Sequence, residues 1–307
     1  MSATWSPAQI PSQKGRRIIV TGGNSGIGWE AAVVLAKAGA DVVIAARNEA
    51  KANDALMRLL AIVPDATVSI ARLDLSDPAS IRAFADAELA RGKPLDVLVH
   101  NAGVMALPKR EVTVDGHEMQ FATNVLGPYR LTGWLLPALM RSKAPRVVTV
   151  ASGTHKVSPV PLSDLDSVDS YRPIQAYAKT KLANVLFSNE LQRRAGDRLL
   201  SVSCHPGAAK TNLATVTSLP MKLASLSIYP LLQSAARGAE PTLMAATLED
   251  ATPGGYYGPT GFLELRGDPA EVKLSPAAAD PSAGAALFAE LERISGVIYD
   301  FNAGGPR

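Results

Sequence analysis

Ile18-Ile19-Val20-Thr21-Gly22-Gly23-Asn24-Ser25-Gly26-Ile27-Gly28 is the stretch on which the architecture turns. A short, continuously apolar run predicts a strand covered on both faces. Glycines then end it, and an amphipathic pattern from Ile27 to Lys37 begins a helix. Gly22 permits the sharp turn, Gly26 lets the backbone approach a pyrophosphate, and Gly28 lets the helix pack against the strand. The amides of Asn24, Ser25, Gly26 and Ile27 sit at the helix start, where exposed N–H groups and the helix dipole favour a diphosphate. A glycine-rich strand–helix turn without a ligand is the plain alternative. The strand before it and the helix after it favour the nucleotide site.

Working outward, the same alternation continues. Val42 to Ile44, Val68 to Ile70, Val97 to Val99 and Val147 to Val150 read as further strands, with Leu199 to Ser203 as a sixth. Helical patterns fill the gaps: Glu49 to Leu60, Asp77 to Arg91, Met119 to Met140 and Ala176 to Arg194, with Ala283 to Ile294 closing the chain. Strand–helix alternation of this kind predicts an α/β fold, a doubly wound parallel sheet with right-handed crossovers. With no internal repeat or low-complexity linker, residues 15–307 read as one domain behind a flexible extension over residues 1–14. Two segments depart from the pattern. Residues 153–175 read as a long loop, and residues 208–234, broken by proline, as a substrate loop; both follow strand ends, where open α/β sheets bind ligands.

The residue after the second strand selects the nucleotide. NAD sites place a carboxylate about 20 residues beyond the glycines, on the ribose 2′-hydroxyl. This chain has Arg47 and Asn48 there. A guanidinium pairs with a 2′-phosphate and a carboxylate would repel it, so NADP(H) is expected. A solvated surface arginine is the alternative reading. Asp74 can accept from the adenine amino group, with Leu75 beside the ring, although Asp74 could also serve the start of the next helix.

Tyr177-Ala178-Lys179-Thr180-Lys181 is the sharpest chemical signal. Tyr177 and Lys181, four apart, share one helix face. A free phenol titrates near 10, and an adjacent ammonium favours its ionised form. Such a pair can give a proton to a substrate oxygen, or take one, near neutral pH. Ser152, at the end of strand five, can hold a carbonyl by hydrogen bonding. Asn124, inside the preceding helix, can disturb the helical ladder and fix a water that links Lys181 to solvent. Taken singly, these are a helix face, a turn serine and a surface asparagine; taken together they form a constellation.

These motifs, with Asn101-Ala102-Gly103 and His205-Pro206-Gly207, occur in the order seen in the short-chain dehydrogenase/reductase family, which the chain resembles over about residues 15 to 212. The resemblance implies a Rossmann-type fold and a catalytic tetrad of Asn124, Ser152, Tyr177 and Lys181. Lys181 and Tyr177 would also meet the nicotinamide ribose. Asn101, Ala102 and Gly103 would pack beside the cofactor, and Pro206, Gly207 and Thr211 would form its nicotinamide-side loop. Arg47, Leu73-Asp74-Leu75, the Lys181-to-Phe187 stretch and the 25-residue step from Ser152 to Tyr177 resemble the retinol dehydrogenase and protochlorophyllide reductase branch. That branch implies apolar carbonyl or alcohol substrates. His100 stands where the family commonly has asparagine.

Composition narrows the alternatives. Apolar residues make up 47% and charged residues 19%, with a net charge of +3 and no basic stripe, so a nucleic-acid partner is not expected. One cysteine, Cys204, precludes an internal disulfide and reads as a small core residue; a reducing, cytoplasmic setting is expected. The polar opening lacks a signal, and the apolar span 213–232 is interrupted by Pro220, Lys222 and Pro230, so no membrane anchor is expected. No His/Asp/Glu spacing suggests a metal site; His117 and His155 read as isolated. Leu213, Leu219, Met221, Leu223 and Leu226 could line an apolar pocket, a dimer contact or a membrane surface. A monomer and a homo-oligomer both stay open. The expected function is hydride transfer between NADP(H) and an apolar carbonyl or alcohol. A non-enzymatic NADP(H)-responsive regulator, or an NAD(H) enzyme, on the same fold are the rivals.

Overall fold

Valine and isoleucine fill the inner strands because both faces of each strand are covered. The computed structural model describes residues 5–156, 162–209 and 232–302. Strands β1 (Arg17–Thr21), β2 (Asp41–Ala46), β3 (Val68–Arg72), β4 (Val97–His100), β5 (Arg146–Val150), β6 (Leu200–Cys204) and β7 (Tyr256–Pro259) run parallel. β8 (Pro269–Glu271) returns antiparallel to β7. The order is β3-β2-β1-β4-β5-β6-β7-β8, with the reversal of winding between β1 and β4. That switch point opens a crevice beyond the carboxyl ends of the strands.

Alternation along the strands divides the core in two. Ile18, Val20, Val42 and Ile44 face α1 (Gly26–Lys37), α2 (Glu49–Ile62) and α6 (Ala235–Thr247). Ile19, Val43, Leu98 and Val147 face α3 (Pro78–Ala90), α4 (Gly127–Leu139), α5 (Pro173–Ala195) and α7 (Pro281–Ser295). Burying one such aliphatic side chain contributes about 1.5–3 kcal/mol, so the two apolar layers dominate the stabilisation. Cys204 lies in the first layer with its sulfur 3.4 Å from Thr242 Oγ1, the core place expected for it.

One expectation changes, and two elements appear that the sequence pattern does not show. Residues 5–14 are not a loose extension: Trp5 and Ile10 pack on the core, and the Gln13 amide donates to Ala38 O at 2.8 Å. α6 was not anticipated, because Pro241 in its middle weakens the helical signal; packing against α1 and the sheet supplies what propensity lacks. β8 is three residues long, too short for a period to show. Most of the expected substrate loop, residues 210–231 with Thr211 and Leu213 to Leu226, lies outside the described residues. No helix among the described residues is long and apolar enough to cross a membrane.

Candidate active site

The turn after β1 is shaped by its contacts with the end of β4. Gly22 has φ +66, and a Cβ there would stand 3.0 Å from Ala102 Cα. A Cβ on Gly28 would meet the Asn101 amide and stand 2.5 Å from Gly22 O, so α1 begins against the turn only because no side chain intervenes. Thr21 Oγ1 accepts from the Asn101 and Ala102 amides, both at 3.0 Å, and Asn101 Nδ2 donates to Thr21 O at 2.9 Å. The two strand ends therefore hold each other open as a rigid cradle for a diphosphate, which the start of α1 favours.

A cavity of about 410 Å³ runs from this cradle along the strand ends. Asn24, Ser25, Gly26 and Ile27 line its floor with Gly22 and Gly28. Arg47, Asn48, Asp74 and Leu75 line one end. Asn101, Ala102 and Gly103 line its middle, and Tyr177, Lys181 and Pro206 the other end. One cavity thus brings together sequence segments more than 150 residues apart.

At the outer end Arg47 is 68% exposed, with Nε 4.0 Å from Asp74 Oδ2, so its guanidinium is available to an anion. Asn48 is the N-cap of α2, accepting from the Lys51 amide at 2.9 Å. Lys51 also lines the cavity, one helical turn beyond Arg47, and was missed; its four-residue spacing from Arg47 across a helix start was the available signal. Asp74 Oδ1 accepts from the Ser76 amide and hydroxyl, at 3.0 and 2.6 Å, while Asp77 caps α3. Asp74 is thereby oriented at the cavity edge and does not cap that helix.

At the inner end Tyr177 and Lys181 stand on one face of α5, both at least 93% buried. Lys181 Nζ lies 5.6 Å from the centre of the Tyr177 ring and donates to Val150 O at 2.9 Å. The expected lowering of the phenol by the ammonium does not prevail. Burial raises Tyr177 to about 12, opposed by hydrogen bonding with Ser152. Burial lowers Lys181 to about 8. The amine donates to a strand carbonyl, and burial is the first cause of the shift in both groups.

Asn124 is buried against Gly103, and Ser152 is half-buried beside the Tyr177 phenol. Asn124 lies in the π-helical turn Ala122–Leu126, where the Gly127 amide bonds Ala122 O, the disturbed ladder expected of it. Its Oδ1 accepts from the Val104 amide at 2.8 Å, and its Nδ2 donates to Val104 O at 2.9 Å and Thr180 Oγ1 at 3.0 Å. Both donors are thus committed to structure. A Cβ on Gly103 would stand 3.0 Å from Asn124 Oδ1 and 3.8 Å from Lys181 Nζ, so Gly103 keeps open the space between them. Ser152 follows β5 by two residues, its carbonyl 2.7 Å from His155 Nδ1.

His155 and His117 are not isolated. His155 packs edge-on to Tyr256, which stacks on His205. Glu264 reaches back to bond Lys156 Nζ at 2.7 Å and stands 3.1 Å from His205 Nε2. Burial lowers His205, against the pull of Glu264. Gly207, φ +63, sits under Leu265 O, outside the cavity lining. His117 Nδ1 lies 2.9 Å from Asp166 Oδ2. His100 is neutral, lowered by burial to about 3, with Nε2 2.7 Å from Thr132 Oγ1.

The profile of the short chain dehydrogenase family matches residues 16–220. Retinol dehydrogenase 12 of Homo sapiens is 39% identical over 252 residues, 81% of this chain and 78% of that protein. A crystal structure of a protein from Mycobacterium paratuberculosis superposes with a TM-score of 0.80 at 37% identity, over 97% of this chain and 100% of that one. A short chain dehydrogenase of Escherichia coli CFT073, solved with NADPH, gives a TM-score of 0.60 at 25% identity, over 77% of this chain and 92% of that one. The fold, the cradle and these likenesses converge: the chain belongs to the short chain dehydrogenase family, on its retinol dehydrogenase branch, and is an NAD(P)-dependent oxidoreductase.

Proposed function

We propose that the protein interconverts an apolar aldehyde or ketone and its alcohol using NADP(H), with Ser152, Tyr177 and Lys181 acting at the reacting centre and Asn124 supporting them. The observation that carries this reading is the burial of Tyr177 and Lys181 at the inner end of a cavity whose outer end presents Arg47. The Gly22 and Gly28 cradle, which any Cβ would fill, fits a pyrophosphate. Arg47 and Lys51 fit a 2′-phosphate, and no carboxylate stands at residue 47 or 48 to oppose it. The NADPH-bound neighbour and the name of the human relative support the same cofactor and an apolar substrate.

The nicotinamide, when bound, supplies or accepts the hydride. The chain's own groups handle the oxygen. A phenol raised to about 12 keeps its proton at neutral pH and is ready to donate it to a carbonyl oxygen as that oxygen gains charge. Ser152, the polar neighbour that opposes the rise of the phenol, aligns the same oxygen. The phenolate left after transfer is met by the Lys181 ammonium beneath its ring, which stabilises the charged product more than the neutral phenol. The space kept at Gly103 lets a water connect Lys181 with Asn124 Oδ1, the relay by which the proton is restored.

Tyr177→Phe tests the assignment. Turnover of NADPH with aldehydes and ketones should fall about 10²- to 10⁴-fold, the range for a lost general acid. NADPH affinity, measured by fluorescence titration, should stay within about threefold, because the phenol contributes one contact among many. Retained turnover would remove Tyr177 from its role. Absence of turnover by the wild-type chain over a broad carbonyl panel, with NADPH still bound, would favour the regulatory reading.

A further inference from the structure

The segment after β4 carries a strained residue with an unusually complete set of supports. Ala106 has φ +51, in the left-handed region that an L-residue without a polar side chain rarely adopts, and is 3% exposed. Its amide donates to Gln120 Oε1 at 2.7 Å. Gln120 is fully buried, and its Nε2 donates to Tyr171 Oη at 2.9 Å and Pro173 O at 3.3 Å. The Tyr171 hydroxyl in turn donates to Leu107 O at 2.7 Å. Asn124 grips Val104 through both its amide and its carbonyl. The backbone is thus fastened at 104, 106 and 107 from behind. The twist at Ala106 leaves two half-buried apolar side chains, Met105 and Leu107, lining the cavity.

Strain at a buried residue persists only where the surroundings impose it. Here Gln120 and Tyr171, which do not line the cavity, impose it, and what they hold in place is apolar. We infer that Met105 and Leu107 form the wall along which the apolar tail of the substrate lies, and that Gln120 and Tyr171 are the positioning residues that set its shape. The inference rests on the reading of the substrate as an apolar carbonyl or alcohol, and names the residues that select its length. A strut serving stability alone would affect all substrates alike; a wall would discriminate by the length of the tail that touches it.

The test compares butanal with decanal for the NADPH-loaded wild-type enzyme, Met105→Ala and Tyr171→Phe. Each buried methylene is worth about fourfold in affinity, so the wild type should favour decanal. In both variants the ratio of kcat/KM for decanal to that for butanal should fall about tenfold, chiefly through KM for decanal. Equal losses for both aldehydes, or an unchanged ratio, overturn the wall. Thermal shifts of the NADP-loaded proteins with decan-1-ol and butan-1-ol repeat the comparison without turnover. A length preference in binding that Met105→Ala abolishes, found without turnover, upholds the wall and overturns the proposed reaction. A wild-type protein with no length preference in either measurement overturns the wall.

Discussion

Lys181→Met separates the energetic cost of the site from its chemistry. The Lys181 side chain is 5% exposed at the inner end of the cavity, and burial lowers its ammonium from 10.5 to about 8. That difference corresponds to about 3 kcal/mol at 1.4 kcal/mol for each factor of ten. Methionine fills a similar volume without the charge. Against the relief stands the lost bond to Val150 O, about 1.5–3 kcal/mol for a charged donor, partly taken over by Asn184 Nδ2 at 3.4 Å. The two nearly cancel, so at pH 7 the variant should lie within about 1 kcal/mol of the wild type despite losing a buried hydrogen bond. The pH dependence is the sharper measurement. The unfolded chain holds the lysine proton up to pH 10.5, whereas the folded chain releases it near 8. Between those values the unfolded state binds more protons, so stability contributed at this site rises with pH. Urea denaturation from pH 7 to 10 should therefore show the wild type gaining about 2–3 kcal/mol relative to Lys181→Met. Parallel stability curves for the two proteins would refute the account of Lys181 as a desolvated cation. Reductase activity should fall as pH rises through about 8, when the charge beneath the Tyr177 ring is lost.

Arg47→Asp should raise KM for NADPH about ten- to a hundredfold, the worth of one charged hydrogen bond at an exposed position, while leaving KM for NADH within a few fold. An unchanged preference in parallel assays would take Arg47 out of cofactor selection and leave Lys51 as the candidate. Gly28→Ala should lower stability by about 1–3 kcal/mol and NADPH affinity more than tenfold, since the new methyl must displace Asn101 or the Gly22 carbonyl. Calorimetric titration and thermal unfolding measure both, and a variant that binds normally would show that the turn can relax.

Much of this protein was decided locally and could be read in order along the chain. Paired aliphatics at 18–20, 42–44 and 97–99 must be covered on both faces, and that alone implies helices on either side of a parallel sheet. Gly22 and Gly28 mark the turn because close backbone approach leaves no alternative residue, and Tyr177 and Lys181 share a face because α-helical spacing requires it. What lies between elements needed the tertiary structure. Gln120 and Tyr171 carry no local pattern of their own; their meaning comes from partners brought across the fold, Leu107 with Tyr171 from 64 residues away. The same holds for proton affinities: Tyr177 and Lys181 as neighbours in sequence predict a lowered phenol, whereas folding buries both and raises it. Covalent order and side-chain period specify which elements form and which faces meet, but the dielectric around a charge and the neighbours of a loop are properties of the packed volume, and these set the chemistry of the cleft.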